Sequence, residues 1–409
     1  MDIRIQPSRL SGTVTPPPSQ SQGHRLLICA ALASGESRLS RLGDSEDMDA
    51  TVRCLTVLGA NFRREGGDCV VTGLGGKPRH FPTLPQLDCG ESGSTLRFLI
   101  PIALAVAGGG VFTGRGRLME RPQQPYFDLF DEQGISYTQE NGALTVRGAL
   151  TPGAYRLPGD VSSQFFSGLL FALPLLDGPS TIVPTTAVES WDYIRMTVDA
   201  LTGAGVPVTV PDDGANAFAV SPLPYRPFSQ TVEADWSQAG FWYAARALGN
   251  AVETTGLDPR SAQGDRVIAD HFPLLTQPGD SDIDLSGCPD LAPPLAVMAA
   301  VRQGTTRLVN AGRLRIKESD RLAAISDVLT ALGAAVTEGA DSLTITGRDT
   351  LTGGVTVDAH NDHRIAMMTA IAATRCEQPV VLQGADCVKK SYPLFWEDYA
   401  ALGGVVHVL

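Results

Sequence analysis

The 409-residue sequence has no Cys-x-x-Cys pair, no apolar run long enough to cross a bilayer and no excess of positive charge. Its cysteines, Cys29, Cys54, Cys69, Cys89, Cys288, Cys376 and Cys387, are odd in number and scattered. That pattern fits reduced thiols and excludes a disulfide framework or a structural zinc site. The longest apolar candidate, Phe98 to Ala107, is too short to span a membrane and ends in Gly108-Gly109-Gly110. The opening Met1-Asp2-Ile3-Arg4 does not resemble a secretion signal, so a cytoplasmic location is expected. A net charge of −12 argues against a general binder of nucleic acid or of anionic membranes. It leaves room for anionic small substrates, because a local cluster of arginines can dominate one cleft. The chain is 43% hydrophobic and 19% charged, as in a soluble globular protein with a sizeable core. Its length suggests two or three domains at roughly 100–200 residues each.

One phrase recurs along the chain: an amphipathic stretch, a glycine stop, a short strand, a turn and a second strand. It reads Ala50 to Leu58, Gly59, Asn61-Phe62, Cys69 to Val71, and again Tyr126 to Gln133, Gly134, Ile135 to Tyr137, Leu144 to Val146. It returns as Ile194 to Thr202, Gly203, Val206 to Val210, Phe218 to Val220, and as Arg321 to Leu332, Gly333, Ala335 to Thr337, Leu343 to Ile345. A last copy runs Tyr392 to Leu402, Gly403, Val405 to Val408. Apolar residues fall at helical spacing before each glycine and at strand spacing after it, and the glycine sits where a helix C-cap belongs. The glycines lie about 70 residues apart, except for a gap of about 130 between Gly203 and Gly333 with room for one degraded copy. About six βαβαββ-like units in two sets of three give an α/β protein of two pseudo-symmetric domains. Pro16-Pro17-Pro18 and the stretch near Val232 to Asp235 are the expected crossovers. They divide the chain into a discontinuous first domain, 1–18 plus 234–409, and an inserted second domain, 19–233.

Six short segments place polar or charged residues where helices should begin. Ser19-Gln20-Ser21-Gln22-Gly23-His24-Arg25 offers N-caps, and a helix N-terminus with hydroxyls and an arginine is also an anion site. Gly90-Glu91-Ser92-Gly93-Ser94-Thr95-Leu96-Arg97 lets backbone N–H groups approach an anion closely, yet it is neither a P-loop nor a nucleophile elbow. In Glu120-Arg121-Pro122 the proline is read as a helix start with the arginine in the loop before it. Gly159 to Gln164 and Ser190-Trp191-Asp192-Tyr193 add hydroxyls in the same setting. Arg315 to Arg321 is a charge-dense run in which Lys317 and Arg321 would share a face if a helix reaches both. His360-Asn361-Asp362-His363-Arg364 reads as a cap with an anion-binding arginine, because no third-ligand cluster supports a metal. Asp290 opens an apolar stretch and reads by default as an N-cap. Any one of these segments has a bland explanation in capping or solvated charge. Together, in both halves of the chain, they describe helix dipoles converging on substrates with several negative charges.

The landmarks Glu91 to Arg97, Glu120-Arg121-Pro122, Val161 to Gln164, Lys317 to Arg321, Asn361 to Arg364 and Cys387 to Lys390 occur in the order found in 5-enolpyruvylshikimate-3-phosphate (EPSP) synthases. The sequence resembles that family along essentially its whole length. The resemblance implies two domains of three βαβαββ units each, with the active site in the cleft between them, and no metal or organic cofactor. It implies transfer of the enolpyruvyl group of phosphoenolpyruvate to the 5-hydroxyl of shikimate-3-phosphate. Ser21, Arg25, Ser162, Ser163, Gln164, Ser190, Tyr193, Asp290 and Lys317 match positions for shikimate-3-phosphate. Gln20, Gly93, Arg121, Gln164, Arg321, Arg364 and Lys390 match the phosphoenolpyruvate site. Asp290 and Glu318 match the carboxylates of proton transfer, with His363 beside them. A monomer with no nucleic-acid or membrane partner is expected.

One departure matters. The family's first segment usually reads Ser-Lys-Ser, and here it reads Ser19-Gln20-Ser21. The expectation is weaker catalysis and poor binding of the phosphonate inhibitor glyphosate. A smaller departure is Arg313, where some relatives carry asparagine. A binding-only homologue is the rival that Gln20 raises. UDP-N-acetylglucosamine enolpyruvyl transferase, which shares the fold, usually has a cysteine in the loop matching Gly114 to Pro122, and none is present here.

Overall fold

The computed structural model describes residues 1–75, 79–210 and 217–409. These form two compact units, Met1–Pro17 with Glu233–Leu409, and Pro18–Val232. Each is built from helices whose inner faces are apolar and sheets that alternate buried and exposed residues. No helix among the described residues is long and apolar enough to cross a membrane.

In the unit 18–232 the helices are α1 (Gln20–Leu32), α2 (Glu46–Leu58), α3 (Gly93–Ala107), α4 (Gln124–Gln133), α5 (Ser163–Ala172) and α6 (Trp191–Gly203). In the other unit they are α7 (Trp236–Ala247), α8 (Ile268–Leu275), α9 (Ala292–Ala300), α10 (Arg321–Ala331), α11 (His363–Ala373) and α12 (Phe395–Ala401). Odd-numbered helices are the more buried member of each successive pair; residues 26–32 of α1, 98–104 of α3 bar none, and all of α11 are shielded from solvent. They pack in the core of their unit: Phe98 of α3 meets Phe171 of α5 edge-on, and Trp242 of α7 stacks on Phe395 of the covering helix α12.

The sheets repeat one pairing scheme, parallel then antiparallel then antiparallel. Gln86–Asp88 runs parallel to Gly109–Thr113, which pairs antiparallel with Ala143–Arg147 and through it with Ser136–Glu140. The same scheme holds for Ser281–Asp284, Thr305–Val309, Leu343–Thr346 and Ala335–Glu338. Two sheets are completed by strands that lie next to the chain's crossovers. Ser229–Thr231 supplies the parallel partner of Glu36–Ser40, and the N-terminal strand Ile3–Gln6 sits between Val380–Gln383 and Val405–Val408. The degraded copy is identifiable: Ser11–Val14 lies parallel to Ala251–Thr254 in a two-stranded sheet, followed by α8 without the antiparallel hairpin.

Several local expectations are corrected. Gly203 is the last residue of α6, and the left-handed position is Gly205 at φ +80°. Val206 to Val210 does not form a strand; only Thr209 makes a bridge, to Ala219. The final amphipathic stretch is helical only from Phe395, because Pro393 lies just before the N-cap Leu394 and biases Tyr392 away from helical backbone. Pro122 does not start a helix. Pro125 occupies the first turn of α4, and Arg121 follows a short 3-10 turn, Leu118–Glu120. The stops at Gly59, Gly134 and Gly333 do carry positive φ, where an L side chain would be strained.

Candidate active site

Within the unit 18–232, four helix starts are capped by serines: Ser19 accepts from Gln22 N, Ser45 from Met48 N, Ser92 from Thr95 N and Ser162 from Gln164 N. These local bonds follow from serine's short hydroxyl, which reaches the free N–H groups of the first turn. Arg25 on α1 is 3% exposed and is held by Thr197 Oγ1 at 2.8 Å, Ser21 O at 2.6 Å and Tyr193 O at 2.9 Å. Its guanidinium also lies 5.2 Å from the Phe98 ring centroid. Burial lowers its pKa to about 10, so it stays charged at neutral pH. Its neutral partners leave that charge able to favour an anion. Ser163 and Ser190 are buried at the starts of α5 and α6, and Ser190 adopts φ +54°.

Gln164 bridges two segments far apart in sequence. Its Oε1 accepts from Arg97 Nη1 at 2.8 Å and its Nε2 donates to Ser94 Oγ at 3.0 Å. Arg97 Nη2 donates to Pro122 O at 3.0 Å, which fixes the loop bearing Arg121. A Cβ added at Gly93 would lie 2.6 Å from Arg121 Nη1, so the absent side chain is what admits the guanidinium. Gln20, the first residue of α1, is tied to the start of α2: Nε2 donates to Asp47 Oδ2 at 3.0 Å and Oε1 accepts from Ser45 Oγ at 3.2 Å.

In the other unit, charges from four distant segments meet. Asp290 is not an N-cap. It lies in a 3-10 turn, Pro289–Leu291, with Oδ1 at 3.0 Å from Arg321 Nη1 and 3.5 Å from Lys317 Nζ, and Oδ2 at 3.1 Å from Arg364 Nη2. Lys317 precedes α10, so it and Arg321 do not share a helical face; they meet through Asp290 instead. Arg321 is 1% exposed and also bonds Asp362 Oδ2 at 2.9 Å and Glu318 Oε2. Asp362 caps α11 by accepting from Arg364 N and takes a further bond from Ser319 Oγ at 3.0 Å. Arg364 Nη1 donates to Ser237 Oγ at 2.6 Å, and Lys390 Nζ to Asn361 O at 2.6 Å.

Burial alone would raise the Asp290 carboxyl, but Arg364, Lys317 and Arg321 outweigh it and hold the group well below the usual carboxylate range. Burial likewise opposes ionisation of Asp362, and Arg321 overrides it. Lys317 is lowered, chiefly by burial. His363 is lowered to about 3 by burial and by Arg364, so it is an uncharged ring at neutral pH. Asp265, which sequence reasoning missed, is 3% exposed and raised to about 7 by burial and by Asp290. Sequence reasoning also missed Asp362 as an ion partner and Ser237 as a partner of Arg364. The signal for Ser237 was present in Asp235-Trp236-Ser237-Gln238, which opens α7 as the other polar segments open their helices. Among the described residues, no cluster of His, Cys, Asp and Glu is arranged to hold a metal ion.

The buried histidines carry a stability consequence. His24 and His363 both fall to about 3 in the fold, against 6.5 in an unstructured chain. Their contribution is complete above pH 6.5 and is lost as pH falls toward 3, because the unfolded chain takes up protons that the fold refuses. His24→Asn and His363→Asn each flatten the dependence of Tm on pH below about 6.5. An unchanged slope in both variants would show that these rings titrate normally.

A profile of the EPSP synthase (3-phosphoshikimate 1-carboxyvinyltransferase) family matches residues 5–273 and 276–399. Curated proteins of that name from Clostridium kluyveri and Clostridium perfringens are each 44% identical to this chain over 99% of its length, covering 98% and 99% of their own. A protein of the same name from Clostridium acetobutylicum is 42% identical over 99% of this chain and 98% of its own length. Among solved structures, an EPSP synthase from Acinetobacter baumannii superposes with a TM-score of 0.80 at 23% identity, covering 100% of both chains. The enolpyruvyl transferase NikO from Streptomyces tendae gives 0.77 at 17% identity, covering 99% of this chain and 98% of its own. At these identities, the two structures speak to the fold.

Proposed function

The chain belongs to the EPSP synthase family, and we propose that its two sets of cations and helix starts hold the two anionic substrates of that reaction. It is an enolpyruvyl transferase of the shikimate pathway: phosphoenolpyruvate gives its enolpyruvyl group to the 5-hydroxyl of shikimate-3-phosphate and phosphate is released. The observation that carries the site reading is the convergence of Lys317, Arg321 and Arg364 on the single carboxylate of Asp290. Cations gathered this way around one carboxylate are pre-oriented for a more highly charged ligand.

Arg25 pairs with the acceptor's carboxylate, and Ser162, Ser163 and Ser190 donate to its phosphate at the starts of α5 and α6. Ser21, Gln164, Tyr193 and Lys317 complete its contacts. Phosphoenolpyruvate is held by Gln20, Gly93, Arg121, Gln164, Arg321, Arg364 and Lys390. The 5-hydroxyl oxygen adds to C2 of phosphoenolpyruvate while C3 gains a proton. The resulting ketal phosphate then loses that proton and phosphate, which restores the double bond. Asp290 takes the hydroxyl proton. Once ligand anions engage Arg321 and Arg364, Asp290 is less completely neutralised and its proton affinity rises. Glu318 delivers the C3 proton and takes it back. His363, uncharged at neutral pH, serves as a hydrogen-bond donor.

Two measurements test this reading. Phosphate release by the purified protein must require both substrates; release from phosphoenolpyruvate alone would mark a different activity. Gly93→Ala displaces the Arg121 guanidinium that the new Cβ would meet. It raises KM for phosphoenolpyruvate about tenfold, the scale of one weakened charge-assisted bond, with KM for shikimate-3-phosphate unchanged. An equal rise in both constants would separate Arg121 from the phosphoenolpyruvate site.

A further inference from the structure

His24 is 1% exposed, and none of the chemistry above uses it. Its Nδ1 lies 2.7 Å from Thr51 Oγ1 on α2. Thr51 Oγ1 lies 2.6 Å from Thr95 Oγ1 on α3, and Thr95 Oγ1 donates to Ser92 Oγ, the α3 cap, at 2.8 Å. All four side chains are buried. The chain therefore ties α1, α2 and the start of α3 together beneath the residues that face substrate. Asp47 joins it to Gln20. The Asp47 carbonyl lies 3.4 Å from Thr51 Oγ1 and 3.5 Å from Thr95 Oγ1, while its carboxylate accepts from Gln20. Gln20 and His24 stand one helical turn apart on α1, and both reach α2, Gln20 through Asp47 and Ser45 and His24 through Thr51.

The chain has a direction. Among the described residues, His24 Nε2 is buried without a hydrogen-bond partner. A proton on Nε2 would be a stranded donor; a proton on Nδ1 is used by Thr51. With Nδ1 as donor, Thr51 donates to Thr95 and Thr95 to Ser92, so Thr51 and Thr95 each have one proton to give and one to receive, and Ser92 ends the chain as an acceptor. The low pKa of the ring, from burial and from Arg25, keeps it uncharged and the direction fixed.

We propose that His24, as the Nδ1–H tautomer, is a positioning residue that sets the Gln20 side chain and the Gly93–Arg121 contact relative to each other through Thr51, Thr95 and Ser92. The inference rests on the reading of Gly93 and Arg121 as phosphoenolpyruvate contacts. Asparagine places an amide N–H where Nδ1 stands, whereas glutamine places it nearer Nε2. His24→Asn is therefore expected to retain the wild-type KM for phosphoenolpyruvate, and His24→Gln, His24→Leu and Thr51→Val to raise it about three- to tenfold, one hydrogen bond's worth. Nitrogen-15 shifts of the His24 ring in the full-length protein should show Nδ1 protonated and Nε2 bare from neutral to mildly acidic pH. Two results would overturn the proposal: an Nε2–H tautomer, or equal loss in His24→Asn and His24→Leu with only Tm affected. Arg121→Lys, run in the same assay, separates the failures. If it leaves KM for phosphoenolpyruvate unchanged, the site reading is wrong; if it raises KM while the His24 variants do not, the positioning role is wrong.

Discussion

Gln20→Lys raises kcat/KM for phosphoenolpyruvate by about 10²–10³-fold, with most of the gain in kcat. The amide at position 20 can donate one neutral hydrogen bond and carries no charge. A lysine there supplies an ammonium to the charge that develops as phosphate leaves, and the loss of one such donor costs about 2.7–4 kcal/mol of transition-state stabilisation. The surroundings suit the replacement. Asp47 Oδ2 already accepts from Gln20 Nε2, and the start of α2 carries Glu46, Asp47 and Asp49, so an ammonium would arrive next to acids. The same substitution tightens binding of glyphosate, the phosphonate expected at the phosphoenolpyruvate site. Steady-state kinetics of the two proteins side by side check both statements. Equal turnover and equal inhibition would mean that another cation already does the work of the missing lysine.

Glu318→Gln lowers kcat by about 10²–10⁴-fold, the range typical of a lost general acid–base group, and changes the KM values much less. Glutamine keeps a carbonyl oxygen for Arg321 Nη2, and Arg321 remains anchored by Asp290 and Asp362. The cation stays in place while the proton carrier is removed. Exchange of the C3 protons of phosphoenolpyruvate with solvent during turnover should fall in the same proportion, since that exchange reports protonation at C3 directly. Undiminished exchange in the variant would move the C3 role to another group.

What was legible in the sequence is what short-range chemistry decides. The caps Ser19, Ser92, Ser162 and Asp362 could be read because a side-chain oxygen serves an N–H two or three residues later. The helix stops Gly59, Gly134 and Gly333 could be read because few other residues tolerate positive φ. Pro122 misled because a proline before a cap and a proline in a first turn look alike until Pro125 is seen to occupy that turn. The grouping of Lys317, Arg321 and Arg364 around Asp290 was out of reach for periodicity, since it joins residues 27 to 74 positions apart across three elements. Lys317 and Arg321 are linked in the same way, through Asp290 and not along a helix. Asp265 carried no local signal. Its significance comes from burial near Asp290 and Arg364, which only the tertiary fold creates.

Oxygen-18 tracing shows which bond of phosphoenolpyruvate breaks. In the addition and elimination proposed here, phosphate leaves with the oxygen that joined it to C2. With phosphoenolpyruvate labelled by oxygen-18 at that bridge, and shikimate-3-phosphate present, the label is predicted to appear in inorganic phosphate, alongside an enolpyruvyl ether of the acceptor. Label retained in pyruvate, with no ether formed by either this protein or Gln20→Lys, would mean cleavage at phosphorus and would contradict the account.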